Sequence, residues 1–430
     1  MIRRRWKEAV VTAATLALLI GSPSASAASP YHVDGDALNC SNSGPGSADQ
    51  PFCTIGRGAA VAQAGDAVIV HEATYRETVK VPRSGTSGSP IVFEAAPGEV
   101  PTVTGGTYGF RLSGRQWITI RGFAVADTTN HGIYASNGTE ITISGNDVSG
   151  AGHPISGDIA RGIYLKEMSN SLVESNSVHH NSDHGILLGA GTNGTTARAN
   201  VVFNNARQFT RAAAGIHVAG SSGNVIEANL TYANEDTGIN VRSAANDNLV
   251  VRNASWNNGD HGFDTLKATG TRYIANTAYG NRMDGLSVEG SSTGTVIANC
   301  ISVRNGRFEL FVDAGSAAGF AADYDVLWDP DSAADVKYSG TSYATVAAFA
   351  AATPHEDQGI GADPLLANPS AGDLHLLPGS PAIDAANSGA SGHPAVDLEG
   401  NPRVDDPAVA DTGVGPRSYD DRGAYERQLS

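Results

Sequence analysis

The chain has 430 residues, of which 17% are charged, and it carries 44 acidic against 28 basic side chains for a formal net charge of −16. That balance excludes a general nucleic-acid binder, because DNA and RNA are themselves polyanions. It leaves an acidic polysaccharide open as a partner, since a local cluster of cations outweighs distant charge within a Debye length of about 8–10 Å.

Residues 1–7 include Arg3, Arg4, Arg5 and Lys7, Ala9 to Ile20 are apolar but for two threonines, and mostly small residues follow as far as Ala28. This is the pattern of a secretory signal over residues 1–27, so the protein is expected to be secreted and extracellular. The apolar run falls short of the roughly 20 residues that a membrane span needs, and no later stretch approaches that length. Cys40 and Cys53 flank a Ser-, Gly- and Pro-rich segment. In an exported protein such a pair reads as a disulfide. Cys300, inside the apolar run "VIANCISV", reads as a buried free thiol.

Three strand-rich units, "DAVIVHEATYRETVKV", "SPIVFEAAPGEVPTVTGG" and "RQWITIRGFAVAD", precede a regular repeat. A glycine followed by an apolar residue recurs at Gly132, Gly162, Gly185, Gly215, Gly238, Gly262 and Gly285. An asparagine trails each by 14 or 15 residues, at Asn146, Asn176, Asn200, Asn229, Asn253, Asn276 and Asn299. Between these markers, short runs alternate apolar and polar residues, the period of half-buried strands. A unit of about 23 residues suits three short strands joined by turns. Stacked units form a right-handed parallel β-helix, an all-β solenoid whose asparagines make an internal ladder at one turn. One domain is expected over 28–430: N-terminal coils at 28–130, regular repeats at 131–305, and closing coils with a cap at 306–430. The Ala-rich stretch 343–352 is read as a short helix, and the protein as a monomer.

The residue two places after each marker glycine points outward. That column reads Tyr134, Tyr164, Leu187, His217, Asn240, Asp264 and Ser287, and two places on stand Lys166 and Arg242. Aromatic, basic, amide and acidic groups on one face describe a groove for a sugar chain. The longer repeats add residues 150–158 and 205–213, which are expected to wall a cleft.

Two places before the marker glycine stand Asp183, Asp236 and Asp260, and register brings Asp236 and Asp260 close together with Asp264 near them. Carboxylates so near one another need a cation or hydrogen-bond donors, and hard oxygen ligands suit Ca²⁺. The sharing of one ion requires a bend at His261-Gly262. The alternative is that Asp236 and Asp260 bond backbone N–H groups in their turns.

Here the sequence resembles the exported right-handed β-helix polysaccharide lyases, most closely the pectate-lyase-like family nine. The match lies in Asp236 with "DHGFD" at 260–264, in the opening "DALNCSNSGPGSADQPFC", and in the tail "LLPGSPAID". The resemblance implies Ca²⁺ held by Asp236, Asp260 and Asp264, an acidic polysaccharide substrate, and β-elimination of a uronic-acid polymer. That family's base is a lysine on a later coil, whereas no lysine lies between Lys267 and Lys337 here. Lys267 is assigned the base, with Arg242 as the alternative base or as a clamp on the substrate carboxylate. His217 and Tyr164 are placed for sugar contact or protonation of the leaving oxygen, with Lys166, Asn240 and His261 as further substrate contacts. Three other readings stay open: a glycoside hydrolase using the same carboxylates, a C5-epimerase, although the Asp-Pro-His triplet of mannuronan epimerases is missing, and a non-catalytic binding protein.

Overall fold

The computed structural model describes residues 30–152 and 159–429. The expected signal segment and most of the 150–158 insertion lie outside these residues. The chain winds into a parallel β-solenoid of about 11 turns. One coil shows the plan: Ile239–Arg242 lies in a third sheet, Leu249–Val251 in a first and Ala254–Trp256 in a second. Each strand pairs in parallel with its counterpart one coil on, with Ile239 opposite Phe263, Leu249 opposite Arg272 and Ala254 opposite Thr277. The residues after the marker glycines, Ile163, Ile186, Ile216, Ile239 and Phe263, stack in the core with no exposed surface. Stacking like on like buries each side chain against its own kind and keeps register, since a one-residue slip would turn the apolar set outward.

The corner between the first and second sheets holds the expected asparagine ladder. Asn229 accepts the backbone N–H of Asn200 at 3.0 Å and donates to Ala197 O and Asn253 Oδ1, both at 2.9 Å. The ladder runs from Asn146 to Asn276, but its next member is Cys300 and not Asn299: Asn276 N–H points at Cys300 Sγ, 3.5 Å away. Asn299 has φ +58 and occupies the left-handed position that Ala228, Arg252 and Ala275 fill in the coils before it. Asparagine tolerates that region, so one residue type serves two adjacent positions and misleads a count by spacing. A second ladder, unforeseen from the sequence, fills the corner before the third sheet: Asn181, Asn205, Asn234, Asn258, Asn281 and Asn305. It ends on Glu309, whose carboxylate accepts from Asn305 N at 2.9 Å and Ser302 Oγ at 2.8 Å.

This second ladder explains the marker glycines. A side chain at Gly262 would meet Asn281 Nδ2 at 2.7 Å and Gly285 O at 2.8 Å. The glycine is there for close approach between coils; its φ is not left-handed, and the bend expected at His261-Gly262 does not come from it.

The helix Ile55–Val61 packs on the first strands, and Val346–Ala352, within the Ala-rich stretch, buries Val346 and Phe349 at the other end. The tail returns along the coils, where Gly423 N bonds Asn299 O at 2.7 Å and Ala424 N bonds Thr277 Oγ1 at 2.9 Å. Cys40 and Cys53 form a disulfide, and Cys300 is buried and free. Among the described residues no helix is long and apolar enough to cross a membrane.

Candidate functional site

Strand register places the outward column as read from the sequence: Tyr134 beside Tyr164, then Leu187, His217, Asn240, Asp264 and Ser287 on successive coils. Although it faces away from the core, the column is buried from Leu187 onward, with Asn240 and Asp264 each 3% exposed. Asn240 Nδ2 donates to Asp264 Oδ2 at 2.8 Å. Four other polar atoms of this column, His217 Nδ1, Asn240 Oδ1, Asp264 Oδ1 and Ser287 Oγ, are buried without a hydrogen-bond partner. Leaving such groups unpaired costs about 1–3 kcal/mol each, so a row of them on adjacent rungs marks a place built for something else to bond.

Charge divides the groove along the solenoid axis. On the N-terminal side, Arg161 Nε meets Asp183 at 2.7 Å, and its guanidinium lies 5.3 Å from the centre of the Tyr164 ring. His184 stacks on His217 with ring centres 4.2 Å apart. Burial, then the charge of Arg161, pushes His184 down to about 3; burial, His184, Arg242 and Arg161 hold His217 well below the ordinary histidine value. Both imidazoles are therefore neutral. Lys166 and Arg242 flank this half, Lys166 partly exposed beside Glu167. The 205–213 insertion walls it as expected, with Phe209 and Arg211 set against Arg161, Asp183 and His184.

The other half is acidic. Asp260 N bonds Asp236 O at 3.1 Å, so the two sit one above the other in stacked turns, and their carboxyls share a hydrogen bond. Burial, that bond and the charges of Asp260 and Glu235 push Asp236 up to about 7. Burial, then the charges of Glu289, Asp236 and Asp260, pushes Asp264 up to about 7 against the opposing charge of His261. Burial thus favours the protonated form of both carboxyls well beyond what a free aspartate shows.

His261 lies among them. Its Nε2 is 3.4 Å from Asp260 Oδ2, and its Nδ1 is 3.2 Å from both the backbone N and the Oδ2 of Asp284. His131 and His184 hold the same place on earlier coils, and there Nδ1 accepts a backbone N–H of the next coil, at 3.2 and 2.9 Å, whereas a protonated His261 donates from Nδ1 to Asp284 Oδ2 instead. Those two are pushed down to about 3, first by burial. For His261 burial also lowers the value, but Asp284, Asp264 and Asp260 outweigh it and push it up to about 9. A structural ladder histidine has become, in an acidic setting, a cation that the cluster supplies for itself. Asp284 is in turn gripped by Arg307, Nε to Oδ1 at 2.8 Å.

Lys267 is not part of this arrangement. It stands exposed, with φ +55, on the turn beyond the strand Phe263–Leu266. The charges that act most on Asp264 come from His261, Glu289, Asp236 and Asp260. Arg242 is half-buried and acts on the histidine side of the groove. Arg161, His184, Asp284 and Arg307 were not singled out from the sequence. All but Arg307 are at, or next to, the position before a marker glycine, the same frame that revealed Asp236 and Asp260.

The donor set of the acidic half is of the kind Ca²⁺ takes: carboxylate and amide oxygens, with Asp264 Oδ1 and Asn240 Oδ1 buried and unpartnered. The ligand atoms of Asp236, Asp260 and Asp264 do not all lie within 4.8 Å of one another. Sharing one ion requires the three side chains to turn toward a single point.

The family model described as "Right handed beta helix region" matches residues 101–254 and 207–325. The uncharacterized protein YwoF of Bacillus subtilis (strain 168) is 24% identical over 424 residues, covering 80% of this chain and 90% of its own. Pectate lyase Pel9A superposes with a TM-score of 0.60 at 14% identity, over 93% of this chain and 96% of that one. The GH136 lacto-N-biosidase of Eubacterium ramulus gives 0.58 at 16% identity, over 71% and 65%. At these identities the structural likeness speaks to the fold.

Proposed function

The chain belongs to the right-handed β-helix family, and on that scaffold we propose a secreted enzyme that cleaves a uronic-acid polysaccharide by β-elimination in the groove of the third sheet. The observation that carries this reading is the row of buried, unpartnered polar atoms from His217 Nδ1 to Ser287 Oγ. The division of charge supports it: Arg161, Lys166 and Arg242 suit substrate carboxylates, while Tyr134 and Tyr164 offer ring faces and edges to sugars. The fold shared with pectate lyase Pel9A is compatible with it.

Elimination removes the C5 proton, spreads negative charge onto the neighbouring carboxylate, and releases the C4 oxygen with a proton. Arg242, a cation, is assigned the carboxylate clamp; because Lys267 stands outside the groove, the C5 proton is assigned to the neutral imidazole of His217, whose Nδ1 is buried and unpartnered. The protonated fraction of Asp264, near neutral pH, is placed to protonate the leaving oxygen. Ca²⁺ would be held by Asp236 and Asp260 with Asn240 Oδ1, Asp264 keeping its proton as the acid, and would supply Lewis-acid stabilisation to the substrate carboxylate. His261 holds Asp260 in place by charge.

One observation favours a second reading. Asp236 and Asp264, both pushed up to about 7, flank Asp260. A carboxyl kept protonated by burial is what a glycoside hydrolase uses as its acid, with a second carboxyl as its partner. The purified protein, incubated with pectate, rhamnogalacturonan, alginate and glycosaminoglycans, decides between them. Ultraviolet absorbance of an unsaturated uronide marks a lyase, new reducing ends without that chromophore mark a hydrolase, and neither product on any polymer overturns the enzyme reading.

A further inference from the structure

After the strand Asp373–Leu376 the described tail contains no further helix or strand, yet it is fastened to the solenoid along its length. Arg252 Nη1 reaches Asp397 O at 2.6 Å, Asn299 Nδ2 reaches Asn387 O at 2.9 Å, and Arg422 Nη1 reaches Asp325 O at 3.1 Å. The tail is also tied to itself, by backbone bonds such as Ala386 N to Asp420 O at 2.9 Å and by Arg403 Nη1 to Glu426 Oε2 at 2.7 Å, although its backbone forms no sheet with its own segments beyond isolated bridges.

Three of its segments converge at Asp384, Asp405 and Asp411, each offering a carboxylate oxygen, all within 4.8 Å of one another. Asp405 and Asp411 are exposed, whereas Asp384 has no exposed surface. Asp384 Oδ2 is buried without any hydrogen-bond partner, and its Oδ1 receives only a long 3.4 Å contact from Asp406 N. The turn at this point does not need the side chain, since Asp384 O already accepts from Thr412 N at 2.8 Å and Gly413 N at 3.0 Å. Nor do nearby cations answer it: Arg403 pairs with Glu426, Arg417 with Asp420, and Arg427 with Asp406. Burial and the charges of Asp405, Asp411 and Asp406 push Asp384 up to about 6.

We propose that Asp384, Asp405 and Asp411 form a structural Ca²⁺ site that ties three segments of the tail together against the solenoid. Calcium sits about 2.3–2.6 Å from each oxygen ligand, so ligands to one ion lie no more than about 5 Å apart, as these do. An oxygen-only set with one buried and two water-facing carboxylates leaves room for the waters that complete its shell. The site is remote in sequence from the groove and does not depend on the groove's activity. Because the unfolded chain does not assemble these three segments, bound calcium stabilises the folded tail by mass action.

The test uses the full-length secreted protein, stripped with chelator and then given CaCl₂. Calcium is expected to raise Tm and to slow tryptic cleavage after Arg403 and Arg417 several-fold. Asp405→Asn, at an exposed position that folding does not use, should need roughly ten-fold more CaCl₂ for the same protection. Asp384→Asn should be at least as stable as the wild type in chelator but should no longer respond to calcium. Asp260→Asn, in the groove, should keep the calcium-dependent protection of the tail. Tail cleavage that is indifferent to calcium in the wild type, or full protection of Asp405→Asn at the wild-type dose, overturns the proposal. Loss of tail protection in Asp260→Asn with its retention in Asp384→Asn overturns it as well, and assigns the ion to the groove.

Discussion

Asn240 and Asp264 face each other on successive rungs of the third sheet, joined by a single bond from Asn240 Nδ2 to Asp264 Oδ2, while Asn240 Oδ1 and Asp264 Oδ1 are buried and unanswered. Asp264→Asn keeps the shape and removes a carboxyl whose ionisation burial opposes. The variant should fold with unchanged or higher Tm and lose turnover by about 100-fold or more, as expected for a group that moves a proton. Initial rates on the responsive polymer, with Tm measured in parallel, check this. Retained turnover would remove Asp264 from the chemistry.

Arg242 and Lys267 should separate cleanly. Lys267→Ala, on its exposed turn, should leave kcat/KM within about two-fold, whereas Arg242→Ala should lower it about ten-fold or more through loss of a charge-assisted contact with the substrate carboxylate. A severe loss in Lys267→Ala alone would return the base to the lysine.

Glu309, which closes the second asparagine ladder, makes stability depend on pH. Burial, despite the bonds from Asn305 and Ser302, pushes its carboxyl up to about 8, with the charge of Asp329 adding to the rise. An acid with a raised folded-state value binds its proton more tightly when folded. Its contribution is therefore greatest below about pH 4.3 and falls as pH climbs to about 8, by at most roughly 5 kcal/mol. Glu309→Gln should flatten the decline of Tm with pH between those limits. An unchanged slope would mean that the carboxyl titrates normally.

Asn229→Ala should be costly. It strands the backbone N–H of Asn200 and takes one partner each from the Asn200 amide and the carbonyl of Ala197, while Asn253 Oδ1 keeps the backbone N–H of residue 229. At about 1–3 kcal/mol for each unsatisfied group, partly relieved by relaxation, a loss of about 3–5 kcal/mol is expected in a urea melt. Cys300, one position of the same ladder, should not react with a thiol reagent until the protein unfolds, because its thiol is buried and pushed well above its ordinary value.

The architecture was open to sequence reading because each coil repeats both a glycine and an asparagine, and because in a parallel stack any repeated spacing becomes a spatial neighbour. Asp236 over Asp260, and the column from Tyr164 to Asp264, follow from that alone. What spacing does not convey is which of two adjacent asparagines faces inward, so Asn299 was mistaken for Cys300. Nor does it tell how deep an outward residue lies. Lys267 and Asp264 are three residues apart, but the turn exposes one and the neighbouring rungs bury the other. The ionisation of His261 depends on Asp284 from the following coil and Asp260 from its own turn, a relation set by packing in three dimensions and absent from any pairwise interval.

The two long coils carry their extra residues between the same pair of strands, Asp147–Ser149 and Ile163–Ser169 in one, Val201–Phe203 and Ile216–Ala219 in the other. Beyond each, pairing resumes without a shift, as Ile186 opposite Ile216 shows. That connection therefore tolerates changes in length with no effect on pitch or on the asparagine seams. Loops of other sizes could be grafted there to reshape one bank of the cleft while the rungs beneath stay fixed, so that selectivity for a polymer can diverge without the scaffold having to be rebuilt.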